Sequence, residues 1–140
     1  MNVPAKIPGW RWLAAVVGLY GLIWIALEGA LWQLILLAAG LSLLSVLYLL
    51  RRFLGGRYLS TRRWLLLCAA LGGAAGPGCA LLALALMVVK TGLHGHGPEF
   101  TLAEIQWLVG QIPLWAIAGS LAGLGLAMLG MAFQRPQRSR

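Results

Sequence analysis

Residues 12–50 read WLAAVVGLYGLIWIALEGALWQLILLAAGLSLLSVLYLL and carry a single charged side chain, Glu28. As one straight helix this stretch would be about 59 Å long, roughly twice the 30 Å hydrocarbon thickness of a bilayer. The chain must therefore turn back within it. The only break is LEGALWQ, residues 27–33, so we predict two membrane-spanning helices, 12–28 and 32–50, joined by a tight turn.

Two further apolar segments follow, and the composition of the whole chain agrees with a lipid environment. Hydrophobic residues make up 61% of the 140 residues and charged residues only 10%, whereas a soluble domain has roughly a quarter of its residues charged. We predict further spans at 64–89 and 114–133. The expected fold is thus an all-α integral membrane protein with four transmembrane helices, forming one domain over 1–140 without a separate soluble domain.

The basic residues predict the orientation of these helices. Ten of the eleven Lys and Arg residues fall in three clusters: Lys6 and Arg11; Arg51, Arg52, Arg57, Arg62 and Arg63; and Arg135, Arg138 and Arg140. The three carboxylates, Glu28, Glu99 and Glu104, lie outside them. Cytoplasmic loops retain Lys and Arg. We therefore predict a plasma (inner) membrane protein with both termini and the 51–63 loop in the cytoplasm and the 90–112 segment outside.

The same clusters bear on binding partners. A net charge of +8 can indicate nucleic-acid binding, but the positions of these charges at span ends argue against it. Anionic lipid headgroups attract basic side chains near a membrane surface by about 1 kcal/mol each. We predict that the middle cluster, Arg51, Arg52, Arg57, Arg62 and Arg63, contacts lipid headgroups; docking to an acidic partner is the alternative.

The segment FTLAEIQWLVGQIP, residues 100–113, has the pattern of a helix start. Thr101 is placed to cap the helix and Glu104 to complete a capping box. Apolar residues then recur at helical spacing, at Leu102, Ile105, Leu108, Val109 and Ile112. We predict a short amphipathic helix, about 101–112, lying flat on the outer membrane surface.

The preceding segment KTGLHGHGPEF, residues 90–100, is the best candidate for a chemical site. His94 and His96 stand on one side of an extended chain, and Glu99 offers a third metal ligand. Glycines and a proline make a simple connecting turn the favoured interpretation, so we expect no metal there. Ligation of a metal or tetrapyrrole, and a histidine that transfers protons or senses pH, remain alternatives. The sequence identifies no cofactor.

Small residues mark surfaces where membrane helices can approach closely. Gly119, Gly123 and Ala127 repeat at four-residue spacing in the fourth span, and Gly72 and Gly76 precede Pro77 in the third. We predict that these residues mediate helix packing, either within the bundle or against another subunit. The proline is expected to kink its helix, which could also form a hinge or a groove for a lipid or pigment.

None of the predicted spans carries an ionisable residue near its middle, which argues against a proton pump, an ion carrier or an intramembrane enzyme. We therefore predict a non-catalytic accessory, assembly or structural subunit of a larger membrane complex. Its expected partners are other membrane subunits or further copies of itself, with the small-residue face of the fourth span as the contact. A cofactor-, metal- or lipid-binding protein using the 90–100 loop and a small oligomeric transporter are the alternatives.

Overall fold

The computed structural model describes residues 8–26, 30–94 and 100–133, and every regular element within these ranges is a helix. There are five such helices: α1 Trp10–Ala26, α2 Leu31–Leu54, α3 Thr61–His94, α4 Leu102–Gly110 and α5 Ile112–Phe133. Of these, α2, α3 and α5 are long and apolar enough to cross a membrane, and α1 is apolar but has 17 residues. The all-helical prediction is confirmed.

The connection between α2 and α3 is shorter than predicted. Arg51 and Arg52 lie in the last turn of α2, and Arg62 and Arg63 lie in the first turn of α3, so only residues 55–60 connect the two helices. The predicted loop over 51–63 is therefore wrong in extent. Arginine is a good helix former, and basic side chains are favourable beside the negative end of a helix dipole, which explains why the charge does not end α2.

The C-terminal end of α3 also extends further than predicted, since the helix continues to His94 instead of ending at residue 89. Gly92 alone costs too little to end a helix, and the next proline comes only at Pro98. Residues 90–94 are therefore helical and do not belong to a loop. The predicted outer turn near Glu28 lies outside the described residues.

The predicted start of the amphipathic helix is confirmed. In α4 the Thr101 hydroxyl accepts a hydrogen bond from the Glu104 backbone N–H at 3.3 Å, and the Glu104 carboxylate accepts one from the Thr101 backbone N–H at 2.7 Å. The helix ends at Gly110, and α5 begins at Ile112, with Pro113 in its first turn. A proline is tolerated there because the first turn of a helix needs no N–H donor.

One face of α4 packs against the end of the bundle. Leu108 is fully buried, and with Phe100 and Ile105 it joins the main hydrophobic core, to which Met87 of α3 also belongs. Leu102, by contrast, is exposed. The predicted apolar stripe is thus divided between a face that packs on the protein and a face that points away from it.

The helix α3 is the centre of the bundle, with α2 and α5 packed against it and α1 packed against α2. The α1–α2 contact is close because Val17 lies against Gly40, and because the Tyr20 hydroxyl donates a hydrogen bond to the Gln33 carbonyl at 3.1 Å. The sides of α2 and α5 that face each other across α3 make little contact and form the walls of a groove.

The closest helix contact is that between α3 and α5. A Cβ atom built on Gly72 would collide with the carbonyl oxygen of Gly119, and one built on Gly123 would collide with that of Cys68. The two backbones therefore touch, which only residues without side chains allow. The glycines of α5 thus pack against α3 of the same chain, which is one of the two alternatives that their spacing leaves open.

Candidate binding groove between α2, α3 and α5

An apolar groove of about 570 Å³ runs along α3 between α2 and α5, which make little contact with each other. Each of the three helices contributes residues at alternating three- and four-residue spacing. On α5 the lining residues are Trp115, Ala118, Gly119, Ala122, Gly123, Leu126 and Ala127. This spacing places one continuous face of each helix on the groove. The three faces that line the groove therefore have the residue spacing by which helices pack against each other.

The groove is long as well as apolar. Along α3 it extends from Trp64 to Cys79, which corresponds to about 22 Å or four helical turns. Its end nearest the α2–α3 connection is formed by Trp64, which packs with Ala127 in a second, smaller core cluster. Within the described part of the chain, the buried indole nitrogen of Trp64 has no hydrogen-bond partner.

Two polar side chains of the lining, those of Ser42 and Cys79, make interhelical contacts. The Ser42 hydroxyl donates a hydrogen bond to the Ala75 carbonyl at 2.8 Å, two residues before Pro77. The thiol of Cys79 lies 3.9 Å from the Ile35 carbonyl oxygen, a weak contact. Both contacts join α2 to α3 where the proline interrupts the backbone hydrogen bonds of α3. They fix the position of α2, one wall of the groove, relative to α3.

Glycines form the floor on the α5 side. Gly72 and Gly76 of α3 face the backbones of Gly119 and Trp115, so the two helices meet without side chains between them. The predicted packing residues Gly72, Gly76, Gly119 and Gly123 all lie at this contact, and all line the groove. Because backbones cannot change rotamer, this floor is rigid.

A buried lysine lies at the other end of the bundle. Lys90 of α3 has no exposed surface, and its Nζ atom lies 4.7 Å from the centre of the Trp24 ring of α1. An ammonium over an indole face is attracted by the electrons of the ring, by about 2 kcal/mol when the pair is removed from water. This contact joins α1 to α3, and the sequence analysis did not predict it.

The other candidate site residues are placed as follows. His94 is the last residue of α3, and His96 and Glu99 lie outside the described residues. The structure thus shows no geometry for a site in the 90–100 segment. Among the residues that are described, no group of three or more His, Cys, Asp or Glu side chains lies together.

The arginines of the middle cluster lie at the opposite end of the bundle from α4. All five are exposed: Arg51, Arg52, Arg57, Arg62 and Arg63. Arg51 and Arg52 lie at the end of α2, and Arg62 and Arg63 lie at the start of α3. Arg57 lies in the connection between these helices. Their charge is therefore concentrated at one end of an otherwise apolar bundle.

No known protein family, curated protein sequence or solved structure matches the chain. Three apolar helices of membrane-spanning length are compatible with a small membrane protein. Beyond this class, the groove and the positive charge at the α2–α3 connection are the features that bear on function.

Proposed function

We propose that the chain is a multi-pass membrane protein that binds a transmembrane helix of another membrane protein in the α2–α3–α5 groove. It would act as a non-catalytic accessory or assembly subunit. The observation that carries this proposal is the groove itself, in which three helices each present one face at helical spacing. These are the walls of a helix bundle in which one position is open.

The proposed topology has four spans with both termini in the cytoplasm. Helix α1 has 17 residues, about 26 Å, which is at the short end of what crosses a bilayer. The positions of the basic clusters support the orientation. Reporters fused after residue 57 and at the C-terminus are expected on the cytoplasmic side, and a tag near residue 95 outside. Protection of that tag from an impermeant label in intact cells would contradict the orientation.

The lining residues favour a helix as the occupant. Membrane helices associate through close packing because lipid removes the hydrophobic driving force, and small side chains let their backbones approach. Ala39, Ala118 and Ala122 are exposed along the groove, so an incoming helix can insert the side chains of one face between them. The partner is expected to be apolar over about four turns, the length of the groove along α3.

Lipid chains would occupy the groove when no helix does. Lipid chains ordered against a rigid wall lose conformational freedom, and a helix that replaces them restores this freedom to the lipid. The rigid glycine floor between α3 and α5 therefore favours a preformed helix over a flexible chain. Binding a second copy of the protein is the alternative that the experiment must distinguish.

The test is a pair of alanine-to-phenylalanine variants. Ala122 is exposed and lines the groove, whereas Ala70 is exposed on α3 and lies outside it. The two alanines lie at a similar depth, since Gly123 is opposite Cys68 and Gly119 is opposite Gly72. Ala122→Phe fills the groove without disturbing the α3–α5 contact, and Ala70→Phe adds the same ring elsewhere.

The measurement is the set of proteins that copurifies with each variant after mild solubilisation of its native membrane. The parent and Ala70→Phe are expected to retain a membrane protein of different mass, and Ala122→Phe is expected to lose it. Retention of that partner by Ala122→Phe would contradict the proposal. So would a parent that purifies only with copies of itself or as a monomer.

A further inference from the structure

A second cleft lies between the start of α1 and the end of α2. Its apolar part, of about 390 Å³, is lined by Trp10, Leu44, Ser45, Tyr48 and Leu49. Its basic part, of about 460 Å³, is lined by Trp10, Tyr48, Arg51, Arg52 and Gly55. The two parts adjoin each other at Trp10 and Tyr48, so the cleft is apolar on one side of these aromatic residues and positively charged on the other.

We infer that this α1–α2 cleft binds an anionic glycerophospholipid of the cytoplasmic leaflet. The lipid phosphate would lie against Arg51 and Arg52, and one acyl chain would lie along Leu44 and Leu49. The inference rests on the proposed orientation of the bundle, which places this end at the cytoplasmic surface. It does not depend on the partner helix, since the cleft and the α2–α3–α5 groove share no residue.

The charge of the cleft matches a phosphate. Both guanidinium groups are exposed, and neither forms an ion pair within the described ranges. The carboxylate of Glu104 belongs to α4, which packs at the opposite end of the bundle. A guanidinium presents a rigid fork of donors that fits phosphate oxygens. Two such groups converge on the same cleft.

The C-terminus of α2 opposes an anion, but more weakly than the arginines attract one. The end of a helix carries about half a negative charge, against two full positive charges here. Part of that negative charge is already compensated, because the Gly55 backbone N–H donates a hydrogen bond to the Arg51 carbonyl at 3.1 Å. The net charge at the mouth of the cleft is therefore positive.

The aromatic and apolar residues fit the rest of the lipid. Tryptophan and tyrosine prefer the boundary between headgroups and hydrocarbon, which is where Trp10 and Tyr48 join the two parts of the cleft. Deeper in the cleft, the Ser45 hydroxyl donates to the Leu41 carbonyl of its own helix at 2.8 Å. This hydroxyl is thus satisfied and leaves an apolar surface for an acyl chain.

The remaining arginines provide a matched control. Arg62 and Arg63 are also exposed and adjacent in sequence, but they lie in the first turn of α3 and do not line the cleft. The variants Arg51→Gln/Arg52→Gln and Arg62→Gln/Arg63→Gln remove the same charge from the same end of the bundle. Each leaves three of the five arginines in place to determine orientation.

The experiment is native mass spectrometry of the full chain released from nanodiscs that contain equal amounts of phosphatidylglycerol and phosphatidylcholine. The parent and Arg62→Gln/Arg63→Gln are expected to retain one phosphatidylglycerol molecule. Arg51→Gln/Arg52→Gln is expected to bind it at least about tenfold more weakly. An equal loss of bound phosphatidylglycerol in the two double variants would show nonspecific attraction of the lipid to surface charge. If the parent retained phosphatidylcholine as well as it retains phosphatidylglycerol, the bound molecules would be lipids of the surrounding bilayer without a specific site. Either result would overturn the inference.

A second variant tests the acyl-chain part without changing any charge. Ser45→Phe fills the apolar end of the cleft and is expected to displace the lipid while both arginines remain. Glycerol phosphate, which has the headgroup chemistry but no tail, is expected not to compete at millimolar concentration. Lipid retention by Ser45→Phe, or displacement by glycerol phosphate, would contradict a site for a whole lipid.

Discussion

Replacing Gly123 by alanine is expected to destabilise the bundle, although alanine is the better helix former. A Cβ atom at this position would collide with the Cys68 carbonyl group and would lie 3.4 Å from the Gly72 Cα atom. These neighbours are backbone atoms, so no side-chain rotation can relieve the contact. The axes of α3 and α5 must move apart, and the rigid floor of the groove would be lost.

The magnitude follows from comparison with Gly125, two residues further along the same helix. A Cβ atom at Gly125 meets no atom within 4 Å. Each Gly→Ala change gains about 1 kcal/mol in helix propensity, and this gain cancels between the two variants. The remaining difference is the cost of overpacking, about 1–3 kcal/mol. This corresponds to about a 5- to 150-fold difference in the unfolding equilibrium constant.

The assay is reversible unfolding in mixed micelles by titration with sodium dodecyl sulfate, followed by tryptophan fluorescence. Gly125→Ala is expected to be as stable as the parent or more stable, and Gly123→Ala to be less stable than both. Equal stability of the two variants would refute the close α3–α5 contact. Equal stability would instead favour the alternative that the glycine face of α5 contacts another subunit.

Two further predictions concern the end of the bundle at which α4 packs. Thr101→Ala removes the cap that pairs with Glu104 and should lower the stability of α4 by about 1 kcal/mol, measured by faster hydrogen exchange of its amides; unchanged exchange would contradict the cap. Trp24→Ala removes a buried ring that contacts Lys90 and should cost about 3–5 kcal/mol in the same unfolding assay. The control is Trp12→Ala, which removes an exposed indole and should lower the free energy of unfolding only slightly. Equal losses of stability in the two variants would argue against the Trp24–Lys90 contact.

Features that depend on neighbouring residues could be predicted from the sequence. The helix start at Thr101 and Glu104 was predicted because a capping box involves residues only three apart. The helical class followed from the length of the apolar stretches. Local signals were less reliable at helix ends, where Arg51 and Arg52 were interpreted as loop residues but continue α2.

Features that depend on the relative positions of helices could not be predicted. Gly72 and Gly119 were identified as packing residues, but the sequence does not state that they face each other. The Trp24–Lys90 contact joins residues of two helices that are distant along the chain. The groove likewise depends on how far apart α2 and α5 lie on α3. The kink expected at Pro77 indicates a groove for a lipid or pigment only as one alternative, without the helices that form its walls.

The most direct test of the proposed function is photocrosslinking in the native membrane. A photoreactive amino acid is placed at Ala122 in the groove or at Ala70 outside it. If a partner helix lies in the groove, position 122 should crosslink to one membrane protein of a different mass, and position 70 should give no such product. Equal products from both positions, or crosslinks from position 122 only to lipid or to a second copy of this chain, would contradict it.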